Sequence, residues 1–232
     1  MATGTPSEGV DLVIRTFRYF LRNAKINLGA LLGFAAIVLA GAIVTGVPDG
    51  ADNLFGTYFG TFPLISLLVL FLYSFALCTS CLNLALSFGA RRRDYFWAVQ
   101  ANMVVYAAAA TALQAIMSAI PHLLGWQNID KWAILLSLGN WSGWVFPLLC
   151  LCLQILGSMC GLLQVRSKIL GAIVMTAAML VGIAATVLLL IAPLNSGHVW
   201  GQLPLALGAV TMTASVVGEV VMWKTIHNYV VR

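Results

Sequence analysis

The sequence predicts an all-α, polytopic integral membrane protein: six transmembrane helices preceded by an amphipathic N-terminal interfacial helix. Two observations carry that class. Of 232 residues, 61% are apolar and 8% charged, against roughly 25% charged in an average soluble domain. Four stretches, 53–90, 95–129, 132–165 and 169–218, hold no Asp, Glu, Lys or Arg, and each exceeds the ~20 residues that cross a bilayer as a helix. Lipid is the solvent that such runs require.

Cutting these runs at Pro, Gly and polar clusters predicts spans near 26–47, 61–86, 98–120, 144–165, 169–192 and 204–223. The first begins too late and runs too long for a secretory leader. An even number of spans puts both termini on one side. Eleven basic residues, Arg15, Arg18, Arg22, Lys25, Arg91, Arg92, Arg93, Arg166, Lys168, Lys224 and Arg232, then share that side, and Lys131 alone lies opposite. The positive-inside rule makes the first side cytoplasmic, which predicts a multi-pass protein of the cell (cytoplasmic) membrane with N- and C-termini in the cytoplasm. Trp126, Trp132, Trp141, Trp144 and Trp200 fall near the outer interface and Trp97 and Trp223 near the inner one, as aromatic belts require.

Residues 1–25 read as a cytoplasmic amphipathic connecting helix and 26–232 as the six-span domain. Val10, Val13, Ile14, Phe17, Phe20, Leu21 and Ala24 recur at helical spacing, with Asp11, Arg15, Arg18, Arg22 and Lys25 on the opposite face. Thr5, Pro6 and Glu8 write a capping box and a favoured first position. Such a helix is either an anchor for anionic membrane lipid or an elbow that docks a cytoplasmic partner.

The link between spans two and three, 87–97, is the most informative stretch. Gly89 can end the second span, and Phe88, Tyr95, Phe96 and Trp97 can lie against the membrane while Arg91, Arg92 and Arg93 project into the cytosol. A basic turn of this kind also serves topology alone. Its residues, Leu-Ser-Phe-Gly-Ala-Arg-Arg-Arg-Asp-Tyr-Phe from Leu86, resemble the S-x-G-x-[ST]-R-[RK]-x-x-[FY] segment after the second span of ABC-2 type (ABCG-like) permeases, the membrane subunits of bacterial exporters. Ala90 and Arg91 depart from that pattern, where a branched or hydroxylated residue and Ser/Thr are usual.

The resemblance implies a coupling loop in Ala90, Arg91, Arg92, Arg93, Asp94, Tyr95 and Phe96, seated in a groove of an ABC-type ATP-binding subunit, with Arg15, Arg18 and Arg22 supporting the elbow helix. It implies a second permease subunit, as homodimer or heterodimer, and a hydrophobic or amphipathic substrate (peptide, drug or lipid) moved outward. The segment before the last span, Leu194 to Leu203, is short for the re-entrant hairpin that some members carry there. No G-x-x-x-x-G-K-[ST] occurs, so this chain has no Walker A loop to cradle ATP and is not expected to be an enzyme. ATP and Mg would act through the partner subunit, no cofactor is expected on this chain, and no nucleic acid is expected as a partner.

Two other classes remain open. A motor-free membrane immunity or sensor protein for amphipathic molecules needs Arg91 to Arg93 only for topology, so lysines would substitute freely. A membrane thiol oxidoreductase would use Cys78 and Cys81, although a pair toward the inner end of span two suits core packing better than exchange at an oxidising face. Cys150, Cys152 and Cys160 lack metal-ligand spacing, as do His122, His198 and His227, so no metal site and no catalytic residue is assigned.

Glu219 is the acidic residue of the last apolar segment and a possible intramembrane polar site. It pairs with Lys224, His227 or a cytoplasmic arginine, or else binds a proton or substrate. Gly29-x-x-x-Gly33 and Gly157-x-x-x-Gly161 offer close packing faces. Pro147 is expected to interrupt span four, with 131–138 lying along the outer surface as a lid. Asn140-Trp141-Ser142 matches a glycan acceptor by chance.

Overall fold

The computed structural model describes residues 6–51, 53–87, 90–126, 142–191 and 198–229. These form seven α-helices: α1 Pro6–Val44, α2 Leu54–Gly60, α3 Phe62–Ser87, α4 Arg92–Leu124, α5 Ser142–Arg166, α6 Lys168–Ile191 and α7 His198–His227. A 3-10 turn at Val47–Asp49 follows α1, and no strand occurs among the described residues. Four helical stretches are long and apolar enough to cross a membrane: Phe20–Val44, Phe62–Ser87, Arg92–Leu124 and Val145–Arg166. Lys168–Ala184 is a shorter apolar helix. The all-helical class and membrane embedding expected from the charge-free runs are both present.

Helix α1 departs from expectation. It is one helix of 39 residues, about 59 Å long at 1.5 Å per residue, and no break separates 6–25 from the first span. The physical reason is local: 10–28 contains neither Gly nor Pro, so the turn from a charged to an apolar surface happens along a continuous helix. Of the expected apolar face, Phe20 and Ala24 are buried, Phe17 and Leu21 are half-buried and Ile14 is exposed, while Arg18, Arg22 and Lys25 are exposed. Thr5 lies outside the described residues, as do Phe88, Gly89, Lys131 to Leu138, Asn140, Trp141, Leu194 to Ser196 and Arg232.

Further departures follow from helix-end chemistry. The link between α3 and α4 is short, because Arg92 to Trp97 belong to the first turns of α4 rather than to a separate loop helix. Gly125, at φ 64, ends α4 in the left-handed region. Its N–H and that of Trp126 both donate to the Pro121 carbonyl, which satisfies the helix end. Pro147 does not interrupt α5, since it sits near the helix start, where a single intrahelical bond is lost. Between α1 and α3, Gly46 (φ 78) and Gly50 (φ 92) turn the chain. Asn53 caps α2 by accepting from Gly56 N–H at 3.0 Å and donates to the Thr45 carbonyl at 3.1 Å.

The six long helices alternate in direction. Gly157 and Gly161 of α5 lie against the carbonyl oxygens of Phe71 and Phe75 of α3, so these two run parallel at the close approach that small residues permit. Ser215 of α7 donates to Cys152 of α5, and Gly218 packs on Ile155, Leu156 and Met159, which makes α7 parallel to both. Helix α4 opposes them: Arg92 meets His227, Phe96 meets Trp223 and Gln100 meets Glu219. Helix α1 runs with α4, pairing Phe20 with Tyr95 at one end and Leu31 and Ala35 with Leu113 and Met117 farther along. A single residue, Ser167, joins α5 to α6, and Gly171 folds back on Gln164. Gly29 and Gly33, by contrast, face open space and pack against nothing.

Helix α5 is the hub, touching α3, α4, α6 and α7. One end of the bundle gathers Arg18, Arg22, Lys25, Arg91, Arg92, Arg93, Arg166, Lys168, Lys224 and His227. The other holds α2, with Phe59 against Trp126 at 5.3 Å.

Candidate functional site at the basic end of the bundle

The expected coupling segment splits into two chemically distinct halves. Ala90 is half-buried, and its N–H donates to the Ala85 carbonyl at 3.0 Å, closing the end of α3. Arg91 is the N-cap of α4 in an extended conformation (φ −70, ψ 145) with no side-chain cap. Arg91, Arg92 and Arg93 are exposed. Three cations at the positive end of a helix dipole are unfavourable in isolation, so this surface attracts anions. Asp94 in the first turn of α4 offsets part of that field. It is buried, and its Oδ2 has no hydrogen-bond partner.

Tyr95 and Phe96 correct the expectation that they lie against the membrane. Tyr95 is 0% exposed, its ring edge-on to Phe20 of α1 at 5.6 Å. Phe96 is buried with its ring edge-on to Trp223 of α7 at 4.9 Å. Only Trp97 keeps an exposed ring. Residues two and three positions after Arg93 therefore turn inward as teeth, because successive helical positions are about 100° apart and one face of α4 meets α1 and α7. Arg92 adds a third tie: its Nη1 donates to the His227 carbonyl at 2.8 Å, placing a cation at the negative end of α7. Tyr229 donates to Asn83 Oδ1 at 2.6 Å, fastening the α7 tail to α3. The segment touches α1, α3 and α7 at once.

Arg18 and Arg22 stand on the exposed face of α1 at the same end, each two residues before a core position, Phe20 and Ala24. The backbone of Arg15 lies in α1.

Glu219 bonds a neutral side chain rather than Lys224, His227 or an arginine. Gln100 of α4 donates to its Oε1 at 2.6 Å, and its Oε2 is buried without a hydrogen bond. Cys78 and Cys81 form no disulfide and are 0% and 4% exposed, inside the helix interface. No substrate reaches them without opening the bundle. Among the described residues no three His, Cys, Asp or Glu side chains come together as a metal site would need.

The structure also assembles a polar core that charge and cysteine arithmetic passed over. Tyr73 and Tyr106 stack at 4.1 Å, Asn102 reaches the Tyr73 hydroxyl at 3.5 Å, and the Tyr106 hydroxyl donates to the Ala24 carbonyl at 3.1 Å. Gln154 donates to the carbonyls of Met103 and Cys150, both at 3.1 Å. These bonds stitch α1, α3, α4 and α5 together where lipid offers no alternative partner. The available signal was positional: Asn102 and Tyr106 are four apart on one face of α4, and Gln154 interrupts the apolar middle of α5. Set against known protein families, curated proteins and solved structures, the chain matches none, so the resemblance at 86–96 stands on that short segment.

Proposed function

We propose that this chain is the six-span membrane permease subunit of an ABC-2 type exporter, and that its basic end is where a separate ATP-binding subunit docks. One observation carries the reading. The three arginines face outward while Tyr95 and Phe96, two and three positions after Arg93, are locked into α1 and α7. A push on the arginine surface is thereby delivered to several helices, which is what a coupling element requires and a plain topological turn does not. The substrate is hydrophobic or amphipathic. An open apolar groove between α5 and α7, lined by Leu156, Met159, Val210, Thr213 and Val217, suits an apolar chain better than a polar solute.

In this reading α6 and α7 complete six spans, the basic end and both termini face the cytoplasm of the cell membrane, and a second permease copy or relative completes the pathway. The test is purification from the native membrane in mild detergent, with mass spectrometry of what accompanies the chain. A Walker-motif ATPase is expected, and its recovery should fall at least tenfold when Arg91, Arg92 and Arg93 are all changed to alanine in protein that still inserts. No ATPase under conditions that preserve such complexes overturns the reading in favour of a motor-free sensor.

A further inference from the structure

The contacts between α4 and α7 form a ladder with one rung per helical turn. Arg92 holds the His227 carbonyl at 2.8 Å, Phe96 meets the Trp223 ring at 4.9 Å, and Gln100 donates to Glu219 at 2.6 Å. Positions advance by four on one helix and fall by four on the other. Glu219 is the innermost rung, about 12 Å from the end of α7 at 1.5 Å per residue.

We propose that Glu219 is a proton-binding site: it closes the α4–α7 seam as the neutral acid, and loss of its proton opens the seam at Gln100 and loosens the hold of Arg92 on the end of α7. The geometry leaves a carboxylate poorly served. One oxygen accepts a single neutral amide hydrogen bond, and the other is enclosed with no donor. Next to Glu219, Gly218 packs on Ile155, Leu156 and Met159, which bring only apolar atoms. A charge with one neutral partner is costly in a bilayer, whereas the neutral acid leaves only one uncharged O–H without an acceptor.

The charged and titratable groups on the packed elements lie elsewhere. On α4 they are Arg91, Arg92, Arg93, Asp94 and Tyr95, all more than one turn from Gln100. On α7, Lys224 is exposed and the His227 ring stacks on Trp223. On α5, Cys152 and Cys160 are buried and Arg166 ends the helix. None of them donates to Glu219. In the reaction the carboxyl O–H bond breaks, the proton passes to water at the basic end, and the electron pair stays on Oε2 as the charge that Gln100 alone cannot balance. This goes beyond the docking proposal and does not depend on which motor, if any, binds the arginines.

The chain has two glutamates, Glu8 and Glu219, which makes a direct test simple. Protein carrying Glu8→Gln and 13C-carboxyl glutamate, in lipid nanodiscs, yields one glutamate signal to follow against pH. The expected result is a signal still at the neutral-acid position at pH 7, shifting only on further alkalinisation. A signal that titrates in the ordinary glutamate range, near pH ~4.3, overturns the proposal. A second measurement reads the seam: spin labels at Ala101→Cys and Val220→Cys, both exposed positions, should move apart as that signal shifts and stay close at every pH in Glu219→Gln. An equal pH response in Glu219→Gln also overturns it.

Discussion

Replacing Tyr95 by alanine is expected to unfold the basic end of the bundle, at a cost of about 3–5 kcal/mol. The ring is fully buried and edge-on to Phe20, and it stands between the arginine surface and α1, so its removal leaves a cavity that helix ends cannot collapse into without shifting. Tyr95→Phe separates packing from polarity. The Tyr95 hydroxyl is buried without a hydrogen bond, so deleting it should be neutral or slightly stabilising, within about 1 kcal/mol. Reversible unfolding in mixed detergent micelles measures both. Equal losses in the two variants would show that the hydroxyl, rather than the ring, anchors the segment.

Gly157→Leu is expected to cost about 3 kcal/mol or more, by forcing apart the closely packed α3 and α5. A Cβ at Gly157 would run into the Phe71 carbonyl oxygen and sit 3.1 Å from its carbon. Both are backbone atoms of a helix, which cannot rotate away as a side chain can. Since α5 also carries α4, α6 and α7, the defect spreads beyond one interface. Gly33→Ala is the control: nothing lies within 4 Å of that position, and alanine favours a helix by roughly 0.8–1 kcal/mol over glycine. Thermal aggregation of the solubilised proteins should rank Gly157→Leu well below wild type and Gly33→Ala at or above it.

The contrast between these two glycines shows where sequence reasoning reached its limit. Both lie in G-x-x-x-G patterns, and only three-dimensional pairing shows that one faces a carbonyl and the other open space. Helix boundaries were legible where charge or glycine marks them: 61–86 was expected and Phe62–Ser87 found, and 144–165 was expected and Ser142–Arg166 found. Charge also marked where α1 leaves the apolar phase, but charge does not end a helix, and so the break expected near residue 25 is absent. Tyr95 and Phe96 were read as membrane-facing because lipid and protein interior are equally apolar, and amphipathicity cannot distinguish the two. Glu219 was recognised as an anomaly from composition, yet its partner Gln100 is 119 residues away on another helix.

If the outward arginines are a protein-docking surface, a photo-reactive amino acid placed at position 93 reports the docked partner in the living cell. Position 123, an exposed leucine at the opposite end of the bundle, serves as the control. Irradiation is expected to capture a Walker-motif ATPase at 93 and not at 123. Capture of lipid alone at 93, in cells where the chain is inserted and folded, would contradict the docking claim and leave the arginines with topology as their sole role.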